Sequence, residues 1–246
     1  MKPKVIAVVG PTASGKTKLA IELAHKYDGE VVSADSRLVY KGFDIASAKP
    51  TMEEREGVPH HLIDIVEPEF DYSAGKYAED AKVAIEDILS RGKMPIVAGG
   101  TGLYFRVLLE NYNLPKVETD YVLRSDLEKR DKADLLAELE KLDNITYERV
   151  KDANLRRIIR ALELIKLLGK PLSSVSMEKE PEYDVEWIMP EIPSREWLYE
   201  RINRRVDTMV EMGVIEETQN LIKIHGRIPN IVDTIGYKEI LTYLDG

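Results

Sequence analysis

The apolar run Val5–Val9 leads without a break into Gly10-Pro11-Thr12-Ala13-Ser14-Gly15-Lys16-Thr17, and from Lys16 to Tyr27 apolar residues recur at helical spacing through Leu19, Ala20, Leu23 and Ala24. A strand, a glycine loop and a helix are the setting in which the pattern G-x-x-x-x-G-K-S/T holds phosphate. The glycines let backbone N–H groups turn toward one anion, and Lys16 adds a point charge. The helix N-terminus adds partial positive charge, and the Thr17 hydroxyl is placed to hold Mg²⁺. Residues 10–17 therefore read as a di- or triphosphate site, without saying which phosphate it takes.

Outward from this loop, Val31–Ala34 and Pro95–Ala98 are two further strand-like runs. Between them Tyr77, Ala81, Ala84, Ile85, Ile88 and Leu89 form one face of a helix that stops at Gly92. Strands alternating with helices predict an α/β fold: a P-loop NTPase-like parallel sheet flanked by helices. The pattern changes after Leu114-Pro115. From Asp120 to Leu168 it is helical throughout, which predicts an inserted all-helical subdomain. Its last helix, Leu155–Leu168, would turn Leu155, Ile158, Ile159, Leu162, Ile165 and Leu168 inward. Ser173–Asp184, with Pro181 inside it, reads as a connector. Val185–Met189 reads as a strand returning to the sheet, followed by helices over Arg195–Met212, Ile215–His225 and Asp233–Leu244. The expected division is residues 1–111 with 187–246 for the catalytic core and 112–186 for the insertion.

Composition narrows the chemistry. With 246 residues, 43% hydrophobic and 32% charged, the chain has the balance of a globular protein with a full core. It contains no cysteine, which excludes disulfides, thiolate metal sites and cysteine nucleophiles. His25, His60, His61 and His225 do not fall at the His-Glu-x-x-His spacing of a helical zinc site, so a metal here is expected to be a hard ion on oxygen. The net charge of −9 argues against nonspecific nucleic-acid binding by the whole surface. No apolar run approaches a membrane span, and Lys2 and Lys4 lead straight into the first strand, so a cytoplasmic protein without a signal peptide or membrane partner is expected.

Three further stretches carry candidate chemistry. Asp35, at the end of the second strand, faces the edge where open α/β sheets bind ligands. It fits a Mg²⁺ carboxylate, a general base or the cap of the next turn. Gly99-Gly100-Thr101-Gly102 ends the third strand with a second glycine turn that opens a helix toward the same cleft. Residues 149–170 hold seven basic side chains against two acidic ones, and Arg156, Arg157 and Arg160 lie on the polar side of an amphipathic helix. That face suits phosphate contacts, and it equally suits a solvated helix surface. Arg195, Arg201, Arg204 and Arg205 form a second cluster, in which Arg201 and Arg205 share a face.

Read together, GPTASGKT (10–17), SADSRLVYKGFDIASAKP (33–50), GVPHHLIDI (57–65), GGTGLYFRVLL (99–109), RRIIRALE (156–163), SREWLYERINRRVDTM (194–209) and IGYKEILTYLDG (235–246) resemble the tRNA dimethylallyltransferases, nearly end to end. The resemblance implies transfer of a dimethylallyl group from dimethylallyl diphosphate to the exocyclic amine of the adenine just 3′ of the anticodon, in tRNAs reading codons that begin with U. Mg²⁺ would assist. It also implies that Gly10, Pro11, Thr12, Ala13, Ser14, Gly15, Lys16 and Thr17 hold the donor diphosphate, with Thr17 on the metal. Asp35 would accept the amine proton, and Thr101 and Arg205 would complete the catalytic set. Asp35, Ser36, Arg37, Leu38 and Thr101 would contact the anticodon stem-loop, and Arg124, Arg156, Arg157 and Arg160 would bind tRNA through the insertion. A monomer is expected. The family continues past the position matching Gly246 into a basic, aromatic helix, which implies fewer tRNA phosphate contacts here than in relatives that carry it. The alternatives are an adenylate isopentenyl transferase acting on free adenine nucleotides, a P-loop small-molecule kinase, and an RNA-binding relative without turnover.

Overall fold

The computed structural model describes residues 2–110, 112–115, 117, 119–176 and 180–246. Strand β1 (Lys4–Val8) enters the glycine loop and helix α1 (Lys16–Tyr27), followed by β2 (Gly29–Ser33), the two-residue β3 (His60–His61), α2 (Ala74–Ser90), β4 (Met94–Ala98) and α3 (Gly102–Leu109). Then come α4 (Tyr121–Glu128), α5 (Lys132–Leu142), α6 (Asn144–Val150) and α7 (Leu155–Leu168). The chain returns through β5 (Asp184–Ile188) and ends in α8 (Arg195–Glu211), α9 (Val214–His225), α10 (Pro229–Val232) and α11 (Tyr237–Asp245).

The five strands form one sheet in the order β3-β2-β4-β1-β5, and every neighbouring pair is parallel. Such a sheet is covered on both faces, which is why Val5 to Val8 are buried in succession instead of alternating. Helix α1 lays Ala20, Ile21, Leu23 and Ala24 against Ile6, Val8, Val31 and Ile96 on one of those faces. Helix α2 starts where Ser73 Oγ accepts from Lys76 N–H at 3.1 Å, and the chain leaves it through Gly92 at φ +72°. The α/β class and parallel sheet match the sequence reading. β3 was not expected, because two histidines paired only with Val31 and Val32 leave no β-branched run to read. The helix expected over Asp233–Leu244 is α11, which begins only at Tyr237 because Gly236 at φ +98° precedes it, and the short α10 ends just before the expected start.

Contacts divide the chain into Met1–Asn111 with Pro181–Gly246, and Tyr112–Glu180. The return to the sheet unit falls at Pro181, six residues before the expected boundary, since β5 already pairs with β1 from Asp184 opposite Lys4. The second unit is helical around Leu127, Leu135, Leu139, Ile158, Ile159, Leu162 and Ile165. The inward face of α7 differs from the expected one at its ends: Leu155 is exposed and Leu168 half-buried, while Glu163 is fully buried. Of the expected connector Ser173–Asp184, Met177, Glu178 and Lys179 lie outside the described residues. Among the described residues no helix is long and apolar enough to cross a membrane.

Candidate active site

The glycine loop closes over the C-terminal end of β1. Gly10 at φ +151° lets the chain leave the strand, and a Cβ there would stand 3.0 Å from Ser14 Oγ. Gly15 at φ +93° caps α1, and Ala13 also takes a positive φ of 62°. Lys16 folds back so that Nζ donates to the Pro11 carbonyl at 2.5 Å, which puts the ammonium inside the loop. From α8, Arg201 Nε donates to the Ala13 carbonyl at 2.8 Å with its guanidinium over the Trp197 ring at 4.8 Å. One turn further along α8, Arg205 reaches a cavity of about 110 Å³ lined also by Thr12, Lys16, Thr17, Asp35 and Leu38.

Helix α8 starts at Ser194, whose Oγ accepts from Trp197 N–H at 3.1 Å, so its first turn is fixed just ahead of these arginines. Burial lowers the pKa of Lys16, the Arg205 charge lowers it further, and Asp35 opposes both. Burial also lowers that of Arg205, again against Asp35. Two partly desolvated cations thus face one carboxylate, an arrangement that gains from an incoming polyanion.

Asp35 is held by the ends of β2 and β4. Ala34 N–H donates to Ala98 O at 2.8 Å, and Thr101 N–H donates to Ala34 O at 3.1 Å. Thr101 Oγ1 accepts from Ser36 N–H at 3.0 Å, and Asp35 Oδ1 accepts from Arg37 N–H at 2.8 Å. Asp35 therefore caps its own turn and lines the cavity as well. Gly99 explains part of the second glycine turn: a Cβ there would lie 2.1 Å from Ala34 O, inside backbone that cannot move aside.

The cavity brings together Thr12, Lys16, Thr17, Asp35, Leu38 and Arg205. Thr101, Ser36 and Arg37 join through the hydrogen bonds to the Asp35 turn. Gly10, Pro11, Ala13, Ser14 and Gly15 shape the loop. In the helical unit Arg124 and Arg160 have an internal partner the sequence did not announce: both donate to Glu163 Oε2, at 2.8 and 2.7 Å. Burial alone would raise the Glu163 pKa, but those two guanidinium bonds outweigh it and hold the group below the usual carboxylate range. Arg156 and Arg157 are exposed.

Two cavity walls had no role in the sequence reading. Ser47, Ala48 and Pro50 form one, and His60 with Ile63 the other. His60 Nδ1 lies 2.8 Å from the Val58 carbonyl, so Nδ1 carries the proton; burial lowers its pKa, and Nε2 is a buried acceptor without a partner among the described residues. Ser33 Oγ, on the same cavity, is also buried and has no partner among the described residues. The strings 33–50 and 57–65 contain these residues, but their order along the chain does not show that they meet.

Comparison with known proteins finds relatives along the whole chain. The family model described as IPP transferase matches residues 38–246, and one described as isopentenyl transferase matches residues 3–67. The tRNA dimethylallyltransferase of Pelotomaculum thermopropionicum is 44% identical over 251 residues, covering 100% of this chain and 80% of its own length. That of Thermomicrobium roseum is 45% identical over 248 residues, covering 98% and 75%. The crystal structure of the tRNA isopentenylpyrophosphate transferase from Bacillus halodurans is 42% identical, covers 100% of this chain and 78% of that one, and superposes with a TM-score of 0.70. A eukaryotic dimethylallyltransferase, in a crystal study of its action on tRNA, is 31% identical with a TM-score of 0.81, covering 98% and 63%.

Proposed function

The chain belongs to the IPP transferase family, and on that premise we propose that it transfers the dimethylallyl group of dimethylallyl diphosphate to the exocyclic amine of the adenine 3′-adjacent to the anticodon, acting on tRNA in the cytoplasm. The observation that carries the proposal is the convergence of Lys16, Thr17, Asp35 and Arg205 on one cavity beneath the glycine loop.

The reaction breaks the allylic C–O bond and forms a C–N bond to the adenine amine, and the bonding pair leaves with the diphosphate. Negative charge therefore grows on the departing group in the transition state. Lys16 and Arg205, already partly desolvated, supply positive potential at that place, and groups that need not reorganise stabilise a transition state best. Arg205 can fork two N–H donors onto diphosphate oxygens, while Lys16 acts as a point charge. A carboxylate is far too weak a base to deprotonate a neutral adenine amine. Asp35 therefore takes the proton only as the new bond makes the nitrogen cationic. The Arg37 N–H and the Thr101–Ser36 bond hold the Asp35 turn in place for that step. The adenine must leave the anticodon-loop stack to reach the cavity, at a cost of a few kcal/mol.

A metal fits this site. The Thr17 hydroxyl lines the cavity beside Lys16, and no cluster of three His, Cys, Asp or Glu occurs among the described residues. Thr17 would hold Mg²⁺, a hard ion that takes few protein ligands and is completed by waters and phosphate oxygens, which leaves Asp35 to act as the base. When bound it neutralises charge on the diphosphate.

The test is label transfer from dimethylallyl diphosphate to unmodified tRNA and to AMP, with ATP hydrolysis followed in parallel. Labelled tRNA with AMP and ATP unchanged is expected. Preferential labelling of AMP, or release of the ATP γ-phosphate, overturns the proposal.

A further inference from the structure

The wall formed by Ser47, Ala48 and Pro50 lies beside Lys16 and Thr17 on the inner side of the segment 43–50, which is neither strand nor helix. Its outer side is gripped by one carboxylate from far along the chain. Glu217, on α9, accepts the backbone N–H of Asp44 at 3.2 Å and of Ile45 at 2.8 Å on Oε2. Its Oε1 accepts the N–H of Ala46 at 3.1 Å and the Tyr237 hydroxyl at 2.7 Å. Three consecutive N–H groups turned onto one carboxylate form a backbone anion nest, filled here by the protein itself. Among the described residues these three groups have no other acceptor, so without Glu217 they must find water or leave their positions.

Packing adds to the grip. Phe43 is fully buried and meets the Tyr237 ring edge-on, with centroids 5.1 Å apart. A Cβ at Gly236 would come within 3.2 Å of the Ala46 Cβ, so only glycine lets α11 approach this closely without displacement. From within the segment, the side chain of Lys49, only 6% exposed, donates to Tyr40 O at 3.2 Å and pairs with Asp44 and Asp64.

We infer that Glu217 is a positioning residue for the donor pocket: through the N–H groups of residues 44–46 it sets where Ser47, Ala48 and Pro50 stand against the glycine loop. The inference rests on the proposed function and adds to it a residue about 170 positions away in sequence, whose side chain reaches the reaction only through the segment it holds. A segment released from the nest lets the wall drift, and the pocket that grips the five-carbon donor loses its shape. The hydrogen bonds of Glu217 go to residues 44–46 and Tyr237 and not to the turn that holds Asp35, so the effect is expected on the use of donor.

The experiment measures steady-state tRNA prenylation with Glu217→Gln, Glu217→Ala and wild type, with thermal unfolding of each. Both variants should raise KM for dimethylallyl diphosphate, about tenfold for alanine and less for glutamine, which keeps one acceptor oxygen. KM for tRNA and kcat at saturating donor should change by less than about threefold. Acetate at about 100 mM should recover much of the loss in Glu217→Ala by refilling the nest, while chloride at equal ionic strength should not. A lower melting temperature with donor KM within about twofold of wild type shows that Glu217 only holds the fold together, and overturns the inference. If the alanine variant does not fold, the glutamine variant decides by the same criterion. Wild type that transfers nothing overturns the proposed function and this inference with it; active wild type with indifferent variants overturns only the inference.

Discussion

Asp35 combines a structural and a chemical place: one oxygen closes its own turn on Arg37 N–H, and the side chain still lines the cavity. Asp35→Ala should lower kcat by about 10²-fold or more while donor affinity falls only slightly, because a general base acts in the transition state and not in donor binding. Single-turnover rates beside calorimetric titration of donor measure the two separately; more than about a tenth of wild-type turnover, ~1.4 kcal/mol on the barrier, is incompatible with a general base. Arg205 differs from Lys16 in geometry, and Arg205→Lys should not restore activity. Loss of one preorganised donor is worth about 3 kcal/mol, so kcat/KM should fall by about two orders of magnitude. A lysine variant with normal kinetics would show that no forked contact exists.

Among the elements, the start of β2 is tied to the end of α2 and to β3 through one carboxylate. Glu30, 2% exposed, accepts from both terminal nitrogens of Arg91, Nη2 at 2.7 Å, and lies 2.8 Å from His61 Nε2. The Arg91 bonds, working against burial and helped by His61, hold its pKa at about 2. A folded pKa below the unfolded one means that this stabilisation is complete above about 4.5 and is lost as pH falls toward 2. Glu30→Gln should therefore lower stability near neutral pH and flatten the loss between about pH 4.5 and 2. The difference is on the order of 2 kcal/mol, less than the full shift because Arg91 is half-exposed and screened by water. Urea unfolding at both ends of that range measures it, and equal acid sensitivity in the variant would exclude Glu30 as its source. Elements of this kind show how far the sequence could be read. Strand, glycine loop and α1 were legible because period, glycines and Lys16 are all local. β3 was not, since His60 and His61 become a strand only by pairing with β2. In α7 the apolar spacing located the helix, yet Glu163 reads as polar surface in any one-dimensional pattern. Only tertiary structure reveals it buried beneath Arg124 and Arg160. Glu217 escaped for the same reason: its partners, residues 44–46, lie more than 170 positions earlier.

For the molecule as a whole, a net charge of −9 must be reconciled with a polyanionic acceptor. Binding must come from local positive surface, and of the residues matched to tRNA contacts Arg157 is exposed on α7 while Arg124 and Arg160 are tied to Glu163. Arg157→Ala should weaken binding of different tRNAs to a similar degree and reduce the slope of log affinity against log salt by about 0.7 to 0.9, one phosphate contact. An unchanged slope in filter-binding titrations would make that face an ordinary solvated helix surface. The proposed function puts donor and base together at the cavity beneath the glycine loop, with Lys16, Arg205 and Asp35 around it, and a single pair of substrates can challenge it. Two anticodon stem-loops, identical except for adenine or guanine immediately 3′ of the anticodon, are incubated with labelled dimethylallyl diphosphate. Label is then located by mass spectrometry. Label should appear only on the adenine stem-loop, at its exocyclic amine, and disappear with Asp35→Ala. Equal labelling of both stem-loops, or none on either, would contradict the assignment of this cavity.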